Sequence, residues 1–494
     1  MIVHFVSMIS STIVANSGPI IVDDLRGLSL YAWVFSSYTL AATICVPIVG
    51  KLSDLMGRRV FYIAGLLVFA IGTASCGFAR SMDELIVARF VSGCGGGALL
   101  ALGGATLGDI FPPRERARWM GVIMTNFGIA SMLGPIVGGF VTDQFGWRWA
   151  FFIVLPPTLI SLVLMSVVLP RVRPERRVTI DWFGIALLAA GLFCIVIAIT
   201  WGGVTYPWLS VHVLAPLVLG LAVLVVFGIH ELRAAEPVMT PTLFRDKVFG
   251  RAVALSFAMR TTFFGLLAFF PVYLQGVLGE SASASGLAMV PMMVAFIIGN
   301  FASGNLISSS GRYRVSAIAG PATTLAGVAV CAALDASSPQ LVLEAGMILV
   351  GAGVGITFPL ASTVVQSAFP YRILGTANSA RQFFDNLGQI IGTTVMTTVT
   401  ISIFTSSLAR FFYERSLGPV GGHIQGVLSS GGQASLVGFL ITTGSLTPAD
   451  ARSALQRSLA AGLHGAFIFA VVISVAGLVL GFALPEIGLR TTHE

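Results

Sequence analysis

Charged side chains stand inside several long apolar runs of this 494-residue chain, and their spacing limits the chemistry they could do. Arg381 and Asp385 are four residues apart, so on a helix they share one face and can form an ion pair. Arg89 and Arg260 lie in other apolar runs, and Arg260 has no obvious local partner. A charge in hydrocarbon is costly and usually faces a partner or a water-filled cavity. Proton transfer or binding of a charged group is therefore the candidate chemistry, with a purely structural ion pair as the alternative for Arg381 and Asp385.

Composition places these residues in a membrane. Hydrophobic residues make up 56% of the chain and charged residues 10%, and the mean hydropathy is +0.92. Soluble domains carry about a quarter charged residues, so we expect an all-α polytopic protein embedded in the lipid bilayer. The net charge of +7 falls in short loops between apolar runs. That distribution is typical of membrane orientation and not of nucleic-acid binding.

The sequence offers no signature of a bound cofactor or metal. All five cysteines stand inside apolar runs without metal-ligand spacing, so they are interpreted as small buried apolar residues. A G-x-x-x-x-G-K-[ST] loop, the usual sign of ATP use, is absent from the sequence. We also find no histidine and acid cluster at catalytic spacing, so an enzyme is not predicted. A non-transporting membrane sensor is an alternative, but it would need a soluble signalling domain that the sequence lacks.

The apolar runs predict fourteen membrane spans of about 20 residues each, the length that crosses about 30 Å of hydrocarbon. The predicted spans are 3–22, 31–50, 60–79, 83–108, 119–141, 149–169, 180–201, 210–230, 251–276, 284–307, 315–335, 340–366, 376–404 and 460–484.

Loops on alternate sides of these spans differ in charge. One side carries basic loops, beginning with Lys51, Arg58 and Arg59, and the other side carries acidic or uncharged loops. The positive-inside rule makes the basic side cytoplasmic, and the even number of spans puts both termini there. The segment 405–459 contains four arginines but is predicted to be a long outer loop, since long translocated loops do not follow the rule.

An internal repeat divides the chain. The residues Gly50, Leu52, Gly57 and Arg58 recur 254 positions later as Gly304, Leu306, Gly311 and Arg312, and Gly134 and Gly138 recur as Gly388 and Gly392. Both copies of the first motif lie on the basic side, so the repeats keep their orientation and predict two six-span bundles. Spans seven and eight have no counterpart. The predicted division is 1–170 for the first bundle, 171–235 for two inserted linker helices, and 236–494 for the second bundle.

The stretch Gly50 to Arg59, GKLSDLMGRR, resembles the signature loop between spans two and three of the major facilitator superfamily. In that family the matching aspartate, here Asp54, helps to hold a cytoplasmic gate closed. The resemblance implies a gate loop that contains Gly50, Asp54, Gly57, Arg58 and Arg59. The second copy has Ser308 in place of the aspartate, which implies an asymmetric gate. A generic basic loop is the alternative.

Two further motifs resemble those of the fourteen-span drug:proton antiporter branch. Gly134-Pro135-Ile-Val-Gly138-Gly139 resembles the GP-x-x-GG motif of antiporters, with Pro135 bending its span and the glycines forming a flat packing seam. Ordinary small-residue packing is the alternative. Arg89 resembles the arginine of a motif implicated in proton transfer, and snorkelling to the outer surface is the alternative for it.

The first span departs from the pattern of the branch. Ser10-Ser11-Thr12-Ile13-Val14 resembles its D-x-T-I-V motif, but Ser10 stands where the aspartate is expected. The proton-coupling candidates are therefore Arg89, Arg381 and Asp385, and Glu344, near an outer end of its span, is a further candidate carboxylate. A lone histidine such as His4 or His464 is more often structural, although it could titrate near neutral pH.

The resemblance implies an exporter of amphipathic organic compounds in the cytoplasmic membrane, driven by protons and working by alternating access. Candidates for its substrate cavity are Asn16, Trp33, Arg260 and Gln275, with interfacial anchoring as the other interpretation of Trp33. A uniporter or a narrow metabolite exporter is the alternative, because the carboxylate of the first span is missing. The sequence does not identify the substrate.

Overall fold

The computed structural model describes residues 2–27, 30–110, 129–130, 132–169, 181–202, 206–234, 241–334, 339–368, 374–414 and 448–486. Within these ranges the long regular elements are helices. In chain order they are α1 (Ile2–Leu25), α2 (Tyr31–Met56), α3 (Arg58–Phe78), α4 (Met82–Ile110), α5 (132–145), α6 (Arg148–Phe152), α7 (Leu155–Val168), α8 (Trp182–Trp201), α9 (Val211–Glu231), α10 (Lys247–Val272), α11 (Ala282–Ala288), α12 (Val290–Ser310), α13 (Arg314–Ala332), α14 (Gln340–Thr357), α15 (Leu360–Ala368), α16 (Leu374–Glu414) and α17 (Pro448–Ala483).

We call α1–α7 the first bundle and α10–α17 the second bundle. The membrane face at which α2 ends and α3 begins is named the Gly57 face, and the face at which α1 ends is named the Asp24 face. A short 3-10 turn, Pro241–Arg245, precedes α10, and a π-helical turn, Tyr273–Val277, follows it.

Thirteen helices in the described part of the chain are long and apolar enough to cross a membrane. The remaining predicted span, 119–141, falls largely outside the described residues, which show only its last portion as α5. Several spans are interrupted: α6 and α7 form one span, as do α11 and α12. The prediction of an all-helical polytopic membrane protein is confirmed, while the count of fourteen spans stays a prediction.

The polar stretch Gly50 to Arg59 is not the ten-residue loop that the sequence predicts. The helix α2 continues to Met56 and α3 begins at Arg58, so that Gly57 alone separates the two helices. Its φ angle of 89° lies in the region that favours glycine, because a Cβ atom is strained there. Gly311, its counterpart in the repeat, ends α12 with a φ angle of 65°. Both glycines therefore end their helices with a positive φ, but the ψ angle is 139° at Gly57 and 11° at Gly311, so the two turns differ.

The segment 405–459 also differs from the prediction. The helix α16 continues to Glu414, and α17 begins at Pro448, so both ends of the predicted loop extend the neighbouring helices. Residues 415–447 lie outside the described part of the chain.

Glycines of the internal repeat set the packing within each bundle. A Cβ atom on Gly138 of α5 would lie 2.3 Å from the carbonyl oxygen of Ile13 in α1. A Cβ atom on Gly392 of α16 would lie 2.1 Å from the carbonyl oxygen of Thr261 in α10. Since real Cβ contacts are longer than this, each glycine allows its helix to approach the first helix of its own bundle. The repeat in the sequence therefore corresponds to a repeated packing contact.

The helices α8 and α9 pack against each other and α8 also contacts both bundles. The indole of Trp33 in α2 lies 6.3 Å from the ring of Phe193 in α8, measured between centroids. On the other side, Thr398 of α16 donates a hydrogen bond of 3.0 Å to the carbonyl oxygen of Ile199. The inserted pair thus lies beside the contact between α2 and α16.

Substitution of Gly95 by alanine is expected to destabilise the first bundle. Its Cβ atom would lie 2.4 Å from the backbone nitrogen of Phe69 in α3, so the helices must separate, at a cost of about 1–3 kcal/mol. The matched control is Gly228→Ala in α9, where no atom lies within 4 Å of the new Cβ. Thermal unfolding in detergent should show a lower melting temperature for Gly95→Ala alone, and equal melting temperatures would contradict the packing argument.

Candidate functional site

A buried charge cluster joins two helices of the second bundle. Asp385 of α16 is 6% exposed and accepts hydrogen bonds from Ser256 Oγ of α10 and from Arg381 Nη1, one turn away on its own helix. Arg260 of α10 lies 3.5 Å from the same carboxylate, measured from Nη2 to Oδ2. The predicted pair of Arg381 and Asp385 is therefore present, but it extends to a second helix.

Arg260 has no partner nearby in the sequence, as expected, but it has a distant one in Asp385. The distance of 125 residues between Arg260 and Asp385 hides the pair from any local spacing argument. The guanidinium carbon of Arg260 also lies 3.7 Å from the ring centroid of Phe358, which forms a cation–π contact. With two guanidinium groups and one carboxylate, the cluster carries a net charge of +1, and Arg381 Nε has no hydrogen-bond partner among the described residues.

Arg89 lies in the core of the first bundle and does not reach the outer surface. It is 1% exposed and donates hydrogen bonds to the carbonyl oxygens of Val34, at 3.0 Å, and of Ser10, at 3.5 Å. Its guanidinium carbon lies 4.5 Å from the ring centroid of Tyr38. No described carboxylate forms an ion pair with it. The carbonyl groups and the aromatic face therefore compensate the charge, and the snorkelling interpretation is wrong.

The departure of the first span from the family pattern lies next to this arginine. Ser10 is 1% exposed, and its hydroxyl has no hydrogen-bond partner among the described residues. Its carbonyl oxygen receives the Arg89 hydrogen bond. The position at which relatives of the branch are expected to carry an aspartate is thus adjacent to a buried guanidinium group.

A seam between the two bundles brings other predicted residues together. The side chain of Asn16 in α1 is fully buried and donates a hydrogen bond of 2.8 Å to the carbonyl oxygen of Pro135 in α5. Gln275 of the second bundle donates a hydrogen bond of 2.9 Å to the carbonyl oxygen of Asn16, and Ser285 Oγ donates one of 3.4 Å to its Oδ1. Asn16 therefore connects α5 to the second bundle.

Glycines allow the helix backbones to touch at this seam. A Cβ atom on Gly139 of α5 would lie 2.2 Å from the carbonyl oxygen of Ala282 in α11, and one on Gly286 of α11 would lie 2.4 Å from that of Pro135. Within the first bundle, a Cβ atom on Gly134 would lie 2.1 Å from Thr12 Oγ1. The predicted motif thus faces α1 with Gly134 and Gly138 and the second bundle with Gly139. Ordinary packing is therefore part of its role, and the packing includes the partner bundle.

Further hydrogen bonds between the bundles lie on the same side of the membrane. Tyr31 donates one of 2.7 Å to the carbonyl oxygen of Ala268, and the hydroxyl groups of Ser36 and Thr394 are 3.0 Å apart. The first-bundle members of the described bonds between the bundles, Asn16, Tyr31, Ser36 and Asp143, lie in the half of their helices nearer the Asp24 face.

Asp143 adds an ionised contact at the edge of the seam. Its carboxylate accepts hydrogen bonds from the backbone N–H groups of Ala282, at 3.2 Å, and Ser283, at 2.7 Å. Burial alone would raise the pKa of this carboxyl, but hydrogen bonds from Ser283, Ser281 and the Ala282 backbone lower it below its usual value. Asp143 was not predicted from the sequence, because the residues it contacts are about 140 positions away.

The predicted gate loop makes its described contacts within the first bundle. Arg58 Nη1 donates a hydrogen bond of 3.0 Å to Ser53 Oγ. Arg59 donates to the carbonyl oxygens of Leu169, at 3.1 Å, and of Ser166, both at the end of the span that contains α7. Gly50 has open space where a Cβ would stand. The side chain of Asp54 lies outside the described part of the structure, so its predicted role stays a prediction.

Substitution of Gly286 by alanine is expected to loosen the seam. The new Cβ atom would press on the Pro135 carbonyl, so α11 must move away from α5 and release the N–H groups of Ala282 and Ser283. Hydrogen–deuterium exchange of these amides should then accelerate by about tenfold. Gly250→Ala in α10 is the matched control, since its nearest contact would be 3.8 Å away. Unchanged exchange in Gly286→Ala would contradict the seam as described.

Comparisons with known proteins agree with this architecture. The family model described as Major Facilitator Superfamily matches residues 1–393. Multidrug resistance protein 3 of Bacillus subtilis is 31% identical over 488 residues, which cover 99% of this chain and 94% of that protein. Multidrug transporter protein MdtP of the same organism is 35% identical over 395 residues, which cover 80% of this chain and 73% of that protein.

A solved structure shares the fold. It is a bacterial homologue of the human lysosomal transporter Spinster, in an inward-facing and unoccupied conformation, with a TM-score of 0.66 and 16% sequence identity. The match covers 98% of this chain and 94% of that chain. Together with the internal repeat and the membrane-spanning helices, these similarities identify the family. The chain is a multi-pass membrane transporter and belongs to the major facilitator superfamily.

Proposed function

We propose that this protein exports amphipathic organic compounds of several kinds across the cytoplasmic membrane, in exchange for protons and by alternating access. The observation that carries the proposal is the seam: described hydrogen bonds join Asn16, Tyr31 and Asp143 of the first bundle to the second bundle near the Asp24 face. A seam of hydrogen bonds toward one face supports an end state of alternating access. The names of two relatives, a multidrug transporter and a multidrug resistance protein, support organic compounds as cargo.

The proposed orientation puts the Gly57 face in the cytoplasm. Arg58 and Arg59 lie at this face, and basic residues next to spans favour the cytoplasmic side. Both termini would then be cytoplasmic if the chain has fourteen spans. In this orientation the seam closes the outer side, and a substrate enters from the cytoplasm.

Asp385 is the proposed proton-coupling residue, and Arg381 and Arg260 are its positioning partners. Arginine stays protonated in proteins, so Arg89 and Arg381 can orient or stabilise a charge but do not carry the transported proton themselves. Arg260 of α10 and Arg381 of α16 are both positively charged, and both pair with the negative carboxylate of Asp385. A proton on Asp385 would neutralise this carboxylate and weaken both ion pairs. Both helices also carry seam contacts, at Ala268 and Thr394. Protonation of the cluster can therefore alter the packing of the two helices that close the outer side.

The hydrogen bonds of the seam are weak enough in total for binding of a proton or a substrate to break them. A typical hydrogen bond contributes about 0.5–1.5 kcal/mol to stability, so the few bonds between the bundles amount to several kcal/mol. Binding of a proton or a substrate can supply a difference of that size. We propose that Asn16 and Gln275, now bonded across the seam, become available to a substrate when the outer side opens. Arg260 is the candidate contact for a polar or anionic group, while Trp33 contacts α8 and is proposed as an anchor.

A uniporter or narrow metabolite exporter is the second candidate function. It is favoured by Ser10, which stands next to Arg89 where the drug:proton antiporter branch is expected to carry a carboxylate. Transport by such a protein would follow the substrate gradient and would not respond to a pH gradient across the membrane.

Asp385→Asn is expected to uncouple transport from protons. The amide keeps the size of the side chain but cannot take up a proton, so pH-driven accumulation of a dye in inverted vesicles should fall by about tenfold or more. Glu344→Gln is the matched control, because Glu344 is half-buried in α14 and bonded to Gln340. It should transport like the wild type.

The experiment also separates the candidate functions. Dye-induced proton release from wild-type proteoliposomes supports antiport, and its absence would favour the uniporter. If Asp385→Asn retained the full pH-gradient dependence of the wild type, the assignment of Asp385 would have to be abandoned.

A further inference from the structure

A cavity of about 550 Å³ lies at the Asp24 face of the first bundle, where α1 ends and the chain turns from α5 into α6. This volume falls within the range of about 300–1,000 Å³ that is usual for small-molecule sites. Its lining includes the carboxylates of Asp23 and Asp24, the guanidinium group of Arg148 and four aromatic rings. Neither the seam nor the charge cluster around Asp385 uses these side chains.

A tight turn at Gly146 arranges the aromatic rings of the cavity. Gly146 has a φ angle of 89°, and its N–H donates a hydrogen bond of 3.0 Å to the carbonyl oxygen of Thr142. Trp147 follows inside the bundle and is 3% exposed, whereas Phe145 and Trp149 are 63% and 53% exposed. The ring centroids of Phe145 and Trp149 are 6.3 Å apart. Two exposed aromatic rings therefore stand next to each other in the lining.

The charged groups of the lining are fixed by contacts within the protein. Asp24 Oδ2 accepts hydrogen bonds from Trp147 Nε1, at 2.8 Å, and from Arg148 Nη1, at 3.0 Å. Arg148 Nη2 donates another, of 3.2 Å, to the carbonyl oxygen of Ala79, and its guanidinium carbon lies 4.3 Å from the ring centroid of Trp147. The charge of Arg148 is thus compensated by a carboxylate, a carbonyl group and an aromatic face. Asp23 adds a second carboxylate to the lining.

The lining has a net negative charge. Asp23 and Asp24 carry two negative charges and Arg148 carries one positive charge, so the sum is −1. Arg26, whose φ angle of 54° marks the turn after α1, is not a lining residue. Carboxylates and the electron-rich faces of aromatic rings both attract a positive charge, so the cavity favours organic cations over organic anions.

We propose that this cavity is a binding site for organic cations, such as quaternary ammonium or phosphonium compounds that carry aromatic groups. The positive centre of the ligand lies near Asp23 and the rings of Phe145 and Trp149, and its apolar groups pack on those rings. Binding at this site requires neither proton exchange nor alternating access, so it goes beyond the proposed export.

The site also contacts the helix that holds the seam. Ile20 of the lining lies one turn after Asn16 in α1, and the carbonyl oxygen of Asn16 is bonded to Gln275 of the second bundle. In the proposed orientation the cavity faces the outer side, so a cationic substrate meets it after release. This role in export rests on the proposed function, whereas the binding itself does not.

Two other tryptophans at the same face provide an internal comparison. Trp201 ends α8 and Trp208 lies between α8 and α9; both are exposed, and neither lines the cavity. Tryptophan at a membrane–water interface commonly serves as an anchor. Anchoring explains exposed rings at both places, but only Trp149 stands beside a cavity with carboxylates.

The test is fluorine NMR of the protein labelled with fluorotryptophan, in micelles of a nonionic maltoside. The probes are tetraphenylphosphonium and tetraphenylborate, which have the same shape and opposite charge. Tetraphenylphosphonium should shift the signals of Trp147 and Trp149 to saturation and should bind at least about tenfold more tightly than tetraphenylborate. The signals of Trp201 and Trp208 should show no saturable shift.

Variants of the lining identify the groups that bind. Asp23→Asn should weaken binding of tetraphenylphosphonium by about fivefold or more, because it removes a negative charge from the lining. Phe145→Leu should weaken it by about threefold, because it removes an aromatic face. Asp83→Asn is the matched control, since Asp83 is an exposed carboxylate at the same face outside the lining, and it should bind as the wild type does.

Several results would overturn the proposal. They are equal affinities for the two probes, an unchanged affinity in Asp23→Asn, and a saturable shift of Trp208 with the same midpoint as that of Trp149. If added phosphatidylethanolamine weakened probe binding by about tenfold, the site would belong to the ammonium group of a lipid, which would overturn it as well. Because binding is measured without transport, a failed binding test would leave the proposed export intact, and failed dye transport would leave the site intact.

Discussion

The close approach of two helix backbones at Gly139 and Gly286 is the contact on which the seam between the bundles depends. The hydrocarbon core of a membrane contains no water, so polar groups there must form hydrogen bonds within the protein. Here glycine lets α5 and α11 come near enough for Asn16, Gln275 and Ser285 to satisfy one another across the bundles. A larger residue at either glycine would leave these groups buried without partners. Among the described residues the seam is therefore tight and contains few hydrogen bonds, which suits the proposed alternating access.

Charge is distributed differently in the two bundles. In the first bundle Arg89 is compensated by carbonyl groups and by an aromatic ring. In the second bundle Arg260 and Arg381 share one carboxylate, which a proton can neutralise. Under the proposed antiport, only the second bundle therefore has a described buried cluster whose net charge a proton changes. The asymmetry of the repeat thus extends from the missing aspartate near Ser308 to the buried charges.

Much of the architecture could be predicted from the sequence, because hydrophobic length and loop charge reflect the lipid environment directly. The turn at Gly57 shows where this prediction from hydrophobicity fails. Helix α2 continues past the apolar run into polar residues, because a helix bonds its own backbone groups outside the lipid as well as inside it. Glycine pairs in the repeat, such as Gly138 and Gly392, indicate correctly where two helices pack closely, because a larger residue would clash with the backbone of the neighbouring helix.

The candidate site was predictable only in part. The pair of Arg381 and Asp385 is local and follows from helical spacing. Other contacts join residues more than a hundred positions apart, and a single sequence does not show that such residues are neighbours. These are the contacts of Arg260, of Asn16 in the seam and of Asp143. His4 could be listed as titratable, but its burial without a partner required coordinates. Tertiary packing, and not residue type, therefore decides which polar residues are candidates for function.

The most direct test of alternating access measures both faces at once. Spin labels at Phe145 and Leu287 would report on the Asp24 face, and labels at Val60 and Val315 on the Gly57 face; all four side chains are exposed. Distances are recorded by double electron–electron resonance at neutral pH and after acidification. The account predicts that acidification lengthens the first distance and shortens the second. Changes of the same sign, or no change at either face, would contradict it.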